Sequence, residues 1–82
     1  MTEQNNYSLD ITADVCPMTF VRAKLLIEKM SPGQLAEIRL KGMEPLINVP
    51  RSLAELGHEI VSIQAEDGAA TDGPHRLVVR KK

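Results

Sequence analysis

The sequence predicts an α/β two-layer sandwich of the α+β kind, in the order β-α-β-α-β-β: a four-stranded mixed sheet with two helices on one face. Three observations predict it. Tyr7 to Thr12 and Leu35 to Leu40 alternate apolar and polar residues with period two, as half-buried strands do. Each is followed by a stretch with apolar residues at helical spacing. The last quarter holds two more strand-like runs with no helical pattern between them. Two helices cover only one face of four strands, so two layers follow. The β-α-β connections should be right-handed, and the last two strands most simply form a hairpin.

Met1 to Asn6 is polar and reads as a disordered tail, leaving residues 7–82 as a single domain. In the first strand Tyr7, Leu9 and Ile11 share a face. Ala13 to Val15 connects it to a helix expected over Pro17 to Met30, with Phe20, Ala23, Leu26, Ile27 and Met30 on its apolar stripe. Ser31-Pro32-Gly33 stops that helix. In the second strand Ala36, Ile38 and Leu40 face one way, and Glu37 and Arg39 the other. Glu44-Pro45 opens a second helix with apolar positions Leu46, Ile47, Val49, Leu53 and Leu56. Pro50 should kink it, or limit it to one opening turn before a main helix from Asn48 or Val49, because proline removes a hydrogen bond and clashes with the carbonyl four residues back. Gly57 suits the position just past a helix end. A third strand is expected over Glu59 to Glu66, with Val61, Ile63 and Ala65 on one face. The loop DGAATDGP and a fourth strand from His75 to Arg80 follow, and the basic end Arg80-Lys81-Lys82 reads as frayed.

Composition narrows the function. The net charge is −1, which provides no general attraction to nucleic acid or an anionic membrane. Tyr7 and Phe20 are the only aromatic residues, too few for a base-stacking platform, so direct nucleic-acid binding is not expected. No apolar run approaches the ~20 residues of a membrane span. The polar start lacks the apolar core of a signal peptide. One cysteine cannot form an internal disulfide, which fits a reducing cytoplasm.

That cysteine, Cys16, is followed directly by Pro17 where a strand gives way to a helix. Proline suits the first helical position, since its missing N–H would have had no partner there. Cys16 is then the N-cap. A helix N-terminus favours an anion, so a thiol there is expected to have a lowered pKa and more of the nucleophilic thiolate. The competing reading is a small buried hydrophobe, common for free cysteine. Asp14 adds a negative charge that opposes thiol ionisation; it is a candidate partner-docking residue that could orient a partner, with helix capping or simple solvation the favoured reading. Met18 and Thr19 flank the thiol as a docking rim or as plain surface residues. Arg51 is placed to meet an anionic group or an acidic partner, or to sit solvated on its helix. His58 and His75 lack metal-ligand spacing to Cys16, so no metal site is expected. His58 is expected to tail the second helix with a partly cationic ring facing its C-terminal dipole.

The run LDITADVCPMTFVRAKLLIEKMSPGQ, followed by EPLINVPRSLAELGHEIVSI, resembles the TusA/SirA family of small sulfur-carrier proteins. The resemblance spans roughly Leu9 to Val79 and implies the same β-α-β-α-β-β sandwich. In that family the active cysteine opens the first helix in a Cys-Pro-x-Pro motif. Cys16 and Pro17 match it, and Thr19 replaces the second proline. Asn48 to Arg51 and Gly57-His58 also look like family positions. The resemblance implies that Cys16 takes a sulfane sulfur from a donor protein, a cysteine desulfurase or rhodanese-like protein, and passes it to an acceptor. Such a carrier needs no cofactor and works as a monomer or weak oligomer. The alternative is a non-catalytic protein-interaction or regulatory domain of the same fold.

Overall fold

The computed structural model describes residues 7–14, 18–66 and 73–82. The expected tail, Cys16, Pro17 and most of the expected loop before the fourth strand lie outside the described residues. The elements are β1 (Tyr7–Asp10), α1 (Met18–Glu28), β2 (Leu35–Leu40), α2 (Met43–Glu55), β3 (Glu59–Ala65) and β4 (His75–Arg80). The sheet order is β1-β2-β4-β3. β1 and β2 are parallel, β2 and β4 antiparallel, and β3 and β4 form the antiparallel pair expected of a hairpin.

Paired residues share a face, so the register separates core from surface. Leu9 pairs with Ile38 and Ile38 with Leu77; Ala36 pairs with Val79, and Val79 with Ile60. This side meets the helices, and Ala23, Ile27, Val49 and Leu53 complete one buried cluster with it. Tyr7, Phe20 and Leu26 pack against its margin. The opposite side carries a row of partners running Asp10, Arg39, Arg76 and Gln64. Arg39 and Arg76 would repel each other across the strands. Glu66 relieves this: its carboxylate takes bonds from Arg39 Nε at 2.6 Å and Nη2 at 2.9 Å, with Arg76 Nη2 3.8 Å away. Asp10 and Glu37 close the network on Arg39 and Arg76, each at 3.1 Å.

Several expectations are corrected. The expected α1 stripe holds, with Ala23, Ile27 and Met30 buried and Phe20 and Leu26 packed against the core; Thr19 joins it as a further buried residue, and the helix itself ends earlier than expected, at Glu28. Lys29 and Met30 follow in a tightened turn, their N–H groups donating to Leu26 and Ile27. α2 is one thirteen-residue helix running through Pro50. Pro45 lies in its first turn, where N–H groups have no helical partner. Ile47 is exposed on α2 because Pro45, Val49 and Leu53 form the buried stripe. β3 buries no Val61–Ile63–Ala65 face. A bulge between Ile60 and Ser62 leaves Val61 unpaired, and β3 is an edge strand of the sheet. Ile60 packs on the core instead, while Val61 and Ile63 remain 43% and 39% exposed.

The basic end is not frayed. Gly33 N–H donates to Lys81 O and Lys81 N–H to Gln34 O. Lys81 Nζ donates to the carbonyls of Glu28 and Met30, at 3.3 and 2.8 Å. A cation here complements the negative end of the α1 dipole.

Candidate functional site

β1 and β2 run parallel and each leads into a helix, so the N-termini of α1 and α2 lie at the same end of the sheet. The chain leaving β1 there is held in a tight turn. Asp10 Oδ1 accepts from Thr12 N–H at 2.9 Å and from its hydroxyl at 2.7 Å, while Asp14 N–H donates to Ile11 O. Ile11 is fully buried and its N–H donates to Arg39 O at 2.9 Å. The Thr12 bonds first, then Arg39, hold the Asp10 carboxyl below the usual range.

Residues 15–17 join Asp14 to Met18, the first residue of α1. The two flanks of this segment are tied to each other: Arg22 Nη1 donates to Asp14 Oδ2 at 2.5 Å. Asp14 is therefore engaged by Arg22. The available signal was an acid and a base bracketing the only cysteine, eight residues apart.

Met18 is 49% exposed, as a docking residue requires. Thr19 is fully buried, so its side chain is not one a docking protein could touch. It opens the stripe that α1 turns to the sheet, and helical spacing carries it inward with Ala23 and Ile27. Arg51 is exposed on α2, where Nη2 donates to Asn48 Oδ1 at 3.0 Å; that pair lies two helical turns beyond Met43, the start of α2. The structure does not bring Arg51 to the end that holds Asp14 and Met18.

The histidines separate as well. His58 precedes β3 at the opposite end of the sheet from Asp14, since β3 begins beside the end of β4. Its Nδ1 accepts the Lys82 N–H at 3.2 Å. Burial, then Lys81 and Lys82, push its pKa down, which favours a neutral ring and corrects the expected cationic one. His75 Nδ1 lies 2.8 Å from Gly73 O, an N–H donating to a carbonyl. Among the described residues no group of three His, Cys, Asp or Glu side chains is placed to hold a metal, and no helix is long and apolar enough to cross a membrane.

Fold and site together define a small two-layer α/β domain with an ion-paired turn leading into its first helix. Comparison with known proteins narrows the class. The family described as Sulfurtransferase TusA matches residues 7–81, and this chain belongs to it. A protein of Archaeoglobus fulgidus, provisionally named a sulfur carrier, is 37% identical over 59 residues, covering 72% of this chain and 67% of the relative. One from Thermotoga maritima with the same provisional name is 30% identical over 57 residues, covering 70% and 72%. The crystal structure of a SirA-like protein from Desulfitobacterium hafniense superposes with a TM-score of 0.76, covering 90% of this chain and 95% of that one. At 16% identity it supports the fold alone. The relatives' names and the family support a sulfur-carrier role, with partner proteins in sulfur transfer.

Proposed function

We propose that the protein carries sulfane sulfur as a persulfide on Cys16, in the cytoplasm, between a donor protein and an acceptor. One observation carries the proposal: within a chain matched to a sulfurtransferase family over residues 7–81, Cys16 is the only thiol. The thiolate is the attacking species, and a helix start favours it. Cysteine desulfurases and rhodanese-like proteins present a suitable outer sulfur, and either class serves as donor. Met18, two residues after Cys16 in sequence and half exposed, is the contact such a partner would meet. No cofactor or metal is required for the transfer.

The test is intact mass spectrometry after incubating the reduced protein with a cysteine desulfurase and cysteine, beside Cys16→Ser. The expected result is a gain of one or more sulfur atoms, reversed by dithiothreitol and absent from the variant. No gain with a desulfurase or a sulfane donor, while the thiol still alkylates, would overturn the proposal.

A second reading, a partner-binding domain that carries no sulfur, is favoured by the exposed apolar residues Met18, Val21 and Leu25 of α1 and Met43 and Ile47 of α2. It predicts that Cys16→Ser leaves partner binding and phenotype intact.

A further inference from the structure

Among the described residues the sheet ends in two edge strands, β1 and β3. β1 has four residues and ends in Asp10. β3 has seven, and its free edge lacks most of the features that keep edge strands apart. It contains no proline and no lysine. Its one charged residue, Glu59, is paired to Arg80 of the same chain at 3.4 Å. Glu66, just beyond it, is held by Arg39 at 2.6 Å. Ile60 to Ala65 carry no charge, and the β-branched Val61 and Ile63 stand exposed. The bulge between Ile60 and Ser62 blunts only the first half of this edge. From Ser62 to Ala65 the strand pairs regularly with Val78, Leu77, Arg76 and His75 of β4.

This second half is complementary to itself in reverse. Two identical antiparallel strands are related by a two-fold axis, and such a contact needs residue i to meet j where j meets i. With the axis at Ile63, Ser62 meets Gln64 of the copy, polar on polar, and Val61 meets Ala65, apolar on apolar. Ile63 meets its own equivalent. Paired residues share a face, so Ile63 lies on the helix side with Leu77, and Ser62 and Gln64 on the open side with Val78 and Arg76. An axis at Ser62 would instead set Ile60, on the helix side with Val79, against Gln64 on the open side. The edge therefore favours one register, and that register opposes no like charges.

We propose that the β3 edge binds a second copy of this chain, β3 against β3 antiparallel about Ile63, joining the two sheets into a continuous one. The proposal does not depend on the chemistry of the thiol. Val61 to Ala65 make a small contact, so the association is weak and concentration-dependent. β1 is the far edge of each sheet, so the turn that follows it stays uncovered in the pair.

Sedimentation of the full chain from about 10 μM to about 1 mM should move from monomer toward dimer. Ile63→Lys places two like charges on the axis and should leave a monomer throughout, with native far-ultraviolet circular dichroism. Leu25→Lys, on the exposed side of α1, should dimerise as the native chain does. In Cys16→Ser chains, a short bismaleimide should link Ile63→Cys into dimers about tenfold faster than Leu25→Cys. Should Ile63→Lys lose its fold, these linking rates decide alone. A native chain that stays monomeric to about 1 mM, a dimer that survives Ile63→Lys, or equal linking rates would overturn the proposal. So would a dimer lost in Leu25→Lys, which would assign the contact to the exposed apolar face of the helices.

Discussion

Thr19 occupies the position where the family resemblance leads one to expect a second proline, and it is fully buried at the start of the α1 stripe. The replacement therefore acts through packing and backbone at the first turn, not through a surface a partner reads. A proline is tolerated in a first turn, where its missing N–H has no helical partner. Thr19→Pro should retain the far-ultraviolet circular dichroism of the native protein and shift urea stability by no more than about 1 kcal/mol, the scale of one hydroxyl's interactions. Loss of helical signal would contradict this placement.

At the scale of elements, the end of α2 shows how local rules and long-range packing meet. Gly57 takes a positive φ of 99°, its N–H donates to Ala54 O, and His58 N–H reaches back to Leu53 O. This pair of bonds is a Schellman ending. A Cβ at Gly57 would also lie 2.8 Å from Lys82 Cδ, so the turn is shaped to the chain's far end. Gly57→Ala should destabilise the protein by about 1–2 kcal/mol, the cost of a left-handed backbone for an L residue, read as a lower urea midpoint with an unchanged slope. Equal stability of the variant would mean that the left-handed turn is not held in solution.

Across the whole molecule, stability should fall with acid in two stages. His58 has a lowered folded-state pKa, so the unfolded chain binds its proton first and stability declines as pH falls through and below about 6.5. Glu66, held down chiefly by Arg39, and Asp10, held down chiefly by Thr12, are also depressed. Their contributions are complete above their ordinary carboxylate range and are lost as pH drops through it toward the lower folded-state values. Urea midpoints measured from pH 7 to pH 3 should show both declines. His58→Gln should flatten the upper one, since an amide oxygen still accepts the Lys82 N–H without titrating. Arg39→Met should flatten the lower one. A midpoint independent of pH over this range would contradict both pairings.

Much of this protein is local in origin and was legible in one dimension. The period-two alternation in Leu35 to Leu40, the apolar spacing around Ala23 and Ile27, and the glycine after α2 each reflect a backbone geometry that nearby residues impose. The candidate cysteine was legible too, because it is the only one and precedes a proline. What misled was any position whose environment comes from distant chain. Alternation in β3 could not reveal the bulge at Val61 or the edge position that leaves Ile63 uncovered. The charges of Lys81 and Lys82 could not show that one caps α1 and the other bonds His58. The sequence by itself determined the order of elements, the core stripes and the thiol, since periodicity and turn chemistry are read within a few residues. Only the tertiary structure decided that Thr19 is buried, that Arg51 stands apart from Asp14 and Met18, and that Asp14 is met by Arg22. Burial and ion pairing depend on which surfaces the folded sheet and helices bring face to face.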